Sequence, residues 1–247
     1  MRRFAVLVLA LAAGAARADG LDRDTLLTDA PAVPNQGTVR VTGGVTGTTD
    51  SNGVGGTTQG QAQIAGNIQW TPVQNLAADV GAYYQIGAQG PSARLRYQIL
   101  NQGSHGVDLA GGVRYKTVGF HPDQGEVEFL VAAGRRFGGF ELALNGVFGM
   151  ETGKGGGKDI EAKGFAGYRV SDAVRAGLDS RIQVEVGDEE GAAPKPARIR
   201  DYDLTSGPAL SWMVARNFQL QALVGVAQPK KTNITAPVGV VSASIDF

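Results

Sequence analysis

The sequence predicts an all-β protein, a single antiparallel up-and-down β-barrel of about twelve strands that crosses a membrane. Three observations predict it. Beyond the first 18 residues there is no run of about 18 apolar residues, the length a membrane-crossing helix needs. Segments of about ten residues instead alternate between apolar and polar, the period of a strand. The connections between them alternate between tight turns and longer polar loops.

The N-terminus stands apart from this pattern. Met1-Arg2-Arg3, the apolar run 4–13 and Ala16-Arg17-Ala18 read as the basic region, hydrophobic region and small-x-small cleavage site of a secretory signal, so 1–18 is expected to be removed. The polar residues that usually surround a twin-arginine pair are missing, which favours ordinary secretion. Residues 19–38, with Pro31 and Pro34, are too short for a domain. They are expected to form a periplasmic N-terminal segment or a small plug, ahead of a barrel over 39–247.

Composition excludes several functions. Without cysteine there are no disulfides, no thiol chemistry and no lipid-bearing N-terminal cysteine. Removing Arg2, Arg3 and Arg17 leaves 20 basic against 23 acidic residues, a net charge of about −3, which predicts no affinity for nucleic acid. The 37 glycines lie largely inside alternating segments such as 107–113, so disorder is expected only in loops.

The strands are expected near 39–47, 60–71, 75–86, 92–102, 106–117, 125–137, 138–150, 158–170, 173–186, 200–214, 217–228 and 236–247. The clearest runs from Val174 to Val186: Val174, Ala176, Leu178, Ile182, Val184 and Val186 share one face with Ser180, while Arg175, Asp179, Arg181, Gln183 and Glu185 take the other. Five connections read as tight, at 72–74, 103–105, 138–139, 171–172 and 215–216. Those at 48–59, 118–124, 151–157, 187–199 and 229–235 read as longer, with 87–91 a short exception. A soluble β-sandwich shares the alternation, but its apolar faces need bulky core residues rather than so much Gly and Ala.

The chain ends Val238-Gly239-Val240-Val241-Ser242-Ala243-Ser244-Ile245-Asp246-Phe247, an alternating strand closing on phenylalanine. In this it resembles the Gram-negative outer-membrane β-barrels, whose assembly machinery reads such a terminus; no porin or enzyme subfamily is matched. The resemblance implies outer-membrane location, periplasmic termini, contact with lipid and lipopolysaccharide, and Phe247 as assembly signal. Trp70, Tyr168, Trp212, Phe218 and Phe247 then lie near the tight turns, and Tyr84, Phe120 and Phe148 toward the other rim, as interfacial girdles do.

Candidates for chemistry are few, and no catalytic, cofactor or metal site is expected. His105 in a tight turn and His121 in a longer loop fall at opposite rims and cannot share a metal. Some outer-membrane barrels of this strand number are lipases with a Ser-His pair, yet Gly-x-Ser-x-Gly is absent, and neighbours in a turn such as Ser104 and His105 are not expected at hydrogen-bond geometry. The cluster 153–158 fits neither phosphate-binding fingerprint and reads as a loop. Asp188-Glu189-Glu190 reads as solvated charge against a divalent-cation alternative. Lys230-Lys231 reads as a surface pair that suits lipopolysaccharide phosphates.

If apolar faces meet lipid, then Arg94, Arg96, Arg114, Lys116, Glu126, Glu128, Glu141, Glu161, Lys163, Arg175, Asp179, Arg181, Glu185, Asp201 and Asp203 face the lumen. This two-signed interior supports a narrow channel for small hydrophilic solutes, with basic and acidic walls setting a transverse field. The alternative is a closed barrel filled by salt bridges, acting as a structural or surface-interaction protein through its loops. Twelve strands fall between a filled interior and an open pore, so strand number does not decide.

Overall fold

In the computed structural model the described residues are 22–51, 59–85, 88–119, 121–153, 156–186, 202–229 and 234–247. They contain the strands β1 (Val39–Ser51), β2 (Gln59–Val73), β3 (Leu76–Gln85), β4 (Ala88–Leu100), β5 (Asp108–Val118), β6 (His121–Phe137), β7 (Phe140–Glu151), β8 (Lys158–Arg169), β9 (Val174–Glu185), β10 (Tyr202–Ala215), β11 (Phe218–Gln228) and β12 (Ala236–Asp246). Each strand pairs antiparallel with the next, and β12 returns to β1 with Arg40 opposite Asp246, so the sheet closes into a barrel. The fold is therefore the expected one.

Alternation decides which way each side chain points. Along β7 every second residue from Glu141 to Gly149 is buried and those between are largely exposed. The exposed set elsewhere is apolar: Ile64, Val80, Leu95, Leu178, Leu210 and Val224 stand on the outer wall. An apolar face turned outward from a closed barrel has no second sheet to bury it, so the sandwich alternative fails. Two outward hydroxyls, on Ser180 and Ser206, hydrogen-bond each other at 2.7 Å and so satisfy themselves.

The two ends differ. At the turn end Asn75 and Gly138 adopt positive φ, 68° and 61°, which lets the β2–β3 and β6–β7 connections close in two residues. Trp70, Tyr97, Phe137, Phe140, Tyr168, Trp212 and Phe247 lie exposed at that end, and Phe140 meets the Tyr168 ring edge-on at 4.9 Å. Tyr84, Phe129 and Phe148 lie exposed toward the loop end; Phe120 is outside the described residues.

Several boundaries are corrected. β2 continues through Val73, because Val73 pairs with Leu76, so the turn is Gln74-Asn75 rather than 72–74. Residues 103–105 belong to a short helix, α1 (Gln102–His105), capped by the Asn101 side chain, which accepts from Gly103 N, and ended by left-handed Gly106. The expected loop 118–124 is largely strand: the ladder continues to Val118 opposite His121, with Gly119 at φ 62° making the turn. His121 therefore belongs to β6. β3 and β4 likewise pair out to Gln85 and Ala88, so 87–91 is mostly strand. The expected loop residues Asp188, Glu189, Glu190, Lys230 and Lys231 lie outside the described residues, as does the proposed cleavage site.

Candidate functional site

Inward residues of β3 to β9 supply most of the charge inside the barrel. Asp79 of β3 stands opposite Arg94 of β4, and Arg114 and Lys116 of β5 stand opposite Glu128 and Glu126 of β6. Cross-strand opposition makes these ion pairs without long side-chain excursions. Lys116 Nζ lies 2.8 Å from both Glu126 Oε2 and Glu128 Oε1, and Arg114 pairs with Glu128. Within β8 Lys163 Nζ reaches Glu161 Oε1 at 2.9 Å, and Arg181 of β9 reaches Glu161 Oε2 at 3.0 Å and Asp203 of β10 at 3.8 Å. Opposite charges are thus interleaved rather than confined to two walls.

A second cluster lies nearer the turn end. Glu141 receives Arg136 Nε, Arg169 Nη2 and Arg175 Nη1, each at 3.2 Å, and the Arg175 guanidinium sits 5.2 Å from the centre of the Phe165 ring. Glu185 lies opposite Asp159 near the loop end of β9. Asp201 is outside the described residues.

The segment Asp22 to Pro34 runs inside the barrel and touches most of its wall. Arg23 pairs with Asp246 of β12, which also receives Arg40 Nε of β1 at 2.8 Å. Asp24 Oδ2 lies 2.9 Å from Arg94 Nη2 and its Oδ1 lies 2.8 Å from Arg96 Nη1, while Gln221 of β11 donates to its carbonyl at 3.0 Å. Asp179 of β9 accepts from Leu27 N at 2.9 Å and Thr28 Oγ1 at 2.7 Å. Asp29 pairs with Arg94 and, at 2.9 Å, with Lys163, and Asn145 of β7 accepts from its backbone N–H at 2.7 Å. Val33 N donates to Gln98 Oε1 of β4 at 3.0 Å. Pro31 lies against Gly134 of β6 so closely that a Cβ there would meet Pro31 Cγ at 2.5 Å.

Apolar contacts seat the same segment. Leu26, Leu27 and Ala32 pack against an inner patch that includes Phe165, Leu223, Val238 and Val240. Full burial of a leucine is worth about 1.5–3 kcal/mol, and the half-buried Leu26 and Leu27 contribute part of that each. This patch was not expected from the charged faces; its signal is the run 222–227 and the run 238–241, apolar on both faces rather than alternating. Asp79 was also missed, although it shares the inward face of its strand with Ala77 and Gly81.

Above the segment a cavity of about 1170 Å³ extends toward the loop end, lined by Arg94, Arg114, Lys116, Glu126, Glu128, Glu161, Lys163, Arg181 and Asp203 among the expected lumen residues. Residues 23–29 form one side of it. Arg96, Glu141, Arg175 and Asp179 are buried but do not line it. For the two inner aspartates burial alone would raise the carboxyl pKa. Lys163 and Arg94 outweigh it and hold Asp29 at about 2, and Arg94 and Arg96 hold Asp24 well below the ordinary carboxylate range. The chamber is therefore polar, and its segment side stays ionised.

One expectation about side-chain chemistry is corrected. Ser104 Oγ lies 2.8 Å from His105 Nδ1, because the capped turn of α1 lets the hydroxyl fold onto its neighbour. Both residues are exposed at the turn end and neither lines the cavity.

No family model and no curated protein matches the chain. Solved structures do. The NanC porin superposes with a TM-score of 0.62 at 8% identity over 84% of this chain and 98% of that one. The KdgM porin gives 0.57 at 9% over 84% and 99%. An outer-membrane channel from Pseudomonas putida F1 gives 0.59 at 14% over 87% and 97%. At such identities the likeness is one of architecture, and the architecture is that of an outer-membrane β-barrel.

Proposed function

We propose that this chain is a narrow outer-membrane channel for small hydrophilic solutes, constricted by its own N-terminal segment, and not an enzyme. The cavity of about 1170 Å³, lined by ionised and amide side chains inside an oily outer wall, is the observation that carries the reading. In this reading 1–18 is removed on secretion, 19–38 is a plug, and both termini and the short turns face the periplasm. The fold shared with outer-membrane channels supports that placement. So does Phe247, exposed at the β1–β12 seam where an assembly factor has access to it. The expected lumen residues would set which solutes pass, and the outer wall would contact lipid and lipopolysaccharide.

Swelling of liposomes holding the refolded protein tests this. Small sugars such as arabinose should enter faster than into protein-free vesicles, and a tetrasaccharide should not. Absence of swelling with correctly folded protein would overturn the channel reading.

The inner segment favours a second reading, because a strand of chain across the lumen is also what a non-conducting barrel would carry. Such a barrel would act through its outer loops, binding a partner or lipopolysaccharide. Lack of swelling even after deletion of 22–36, with lipopolysaccharide binding lost on trimming 187–199, would select it.

A further inference from the structure

The inner segment places three carboxylates on buried cations of the barrel: Asp22 pairs with Arg40 of β1 at 3.5 Å, and the other two share one site of three cations. Asp24 bridges Arg94 and Arg96 of β4, and Asp29 bridges Arg94 to Lys163 of β8. Arg94 and Lys163 each keep one carboxylate from the wall, Asp79 and Glu161. Arg96 keeps none among its ion pairs within the described residues: Asp24 is its partner, its Nη1 also donates to Ala30 O at 2.9 Å, and its Nε and Nη2 are buried without a hydrogen-bond partner. At 1% exposure, a guanidinium with two idle donors is costly unless something anionic sits near it. Without the segment, the wall would present an undercompensated cationic site beside the cavity that Arg94 and Lys163 line.

We infer that this site, Arg94, Arg96 and Lys163, binds solutes carrying two or more carboxylates, and that Asp24 and Asp29 are resident stand-ins which such a solute displaces. The inference rests on the channel reading and names its solute class. A polycarboxylate entering from the cavity reaches Arg94 and Lys163, which line it, and competes there with Asp29. A monocarboxylate replaces one anchor and leaves the other, so the segment stays. Two carboxylates on one solute replace both, and the forked guanidiniums suit bidentate capture. Opening is then a competition between linked and free anions for the same donors, which a purely structural plug would not show.

The chain has no cysteine, so a single thiol reports the segment. Ala32→Cys places it against the apolar patch, outside the cationic site. In the refolded full chain, citrate should raise the rate of labelling of this thiol by a charged maleimide at least tenfold over acetate at equal ionic strength. Planar-bilayer recordings should show citrate raising the open fraction of the wild type. In Asp24→Asn/Asp29→Asn the channel should already be open, and citrate should now interrupt the current as it occupies the vacated cations. R96Q should weaken the citrate effect on labelling without opening the channel as widely. Equal labelling in citrate and acetate, with no interruption of current in the double variant, would overturn the inference while leaving the channel intact. Citrate-driven labelling without conductance in any variant would instead uphold the site and overturn the channel reading.

Discussion

Asp79 and Arg94 stand directly opposite one another on β3 and β4, and the guanidinium grips the carboxylate twice, Nε to Oδ2 at 3.2 Å and Nη2 to Oδ1 at 3.1 Å. The same guanidinium carries Asp24 and Asp29 on its remaining donors. One wall residue thus fixes both the hairpin's inner face and the segment crossing the lumen. Removing one partner of a buried pair leaves the others desolvated and uncompensated, which costs about 3–5 kcal/mol.

Arg94→Gln is therefore expected to loosen the segment far more than the barrel. Amide hydrogen exchange at Leu27 and Asp29, whose N–H groups donate to Asp179 and Asn145, should accelerate by about two to four orders of magnitude on that cost. Amides in the β9–β10 ladder should keep their protection. Uniform acceleration across the barrel would show that Arg94 holds the wall and not the segment.

Acid should release the segment within a defined window. Asp29 has its folded pKa lowered to about 2 from 3.8, so its contribution to docking is complete above about pH 4 and is lost as pH falls through about 2. Asp24 is also depressed and acts in the same sense. Pepsin, active across this range and able to cut near Leu26-Leu27, should leave the segment intact at pH 4 and clip it near pH 2. Equal cutting at both values would contradict the ionic anchoring.

The outer wall makes a separate prediction. Leu178 lies midway along β9 on the exposed face, so Leu178→Arg should cost about 2–4 kcal/mol in reversible unfolding from a bilayer. Gln63→Arg, which adds the same charge on the cavity side, should change stability by less than about 1 kcal/mol. Similar costs at both sites would remove the lipid-facing assignment.

The strands were legible because strand period and closed topology enforce one another. Leu178 against Asp179 is a contrast that only a two-faced wall requires, and the register then sets Arg114 opposite Glu128 without further information. Asp79 was within reach of the same reasoning, since a short β3–β4 connection places it against Arg94. The inner segment was not. Asp24 and Asp29 sit in a stretch with no period, and their partners lie far away along the chain on β4 and β8. The apolar patch around Leu223 escaped because a charged-lumen reading assigns every apolar residue to lipid, whereas here some of the inward wall packs against protein. Loop lengths failed where a glycine turn, as at Gly119, let polar residues such as His121 continue the ladder.

On the channel reading, the barrel is open to solutes except where residues 22–36 cross it. Single-channel recordings of the refolded full chain beside a variant lacking 22–36 test that most directly. The deletion should raise conductance severalfold and flatten its dependence on polycarboxylates, with the barrel still folded. Identical conductance in the two, or none in either, would contradict it.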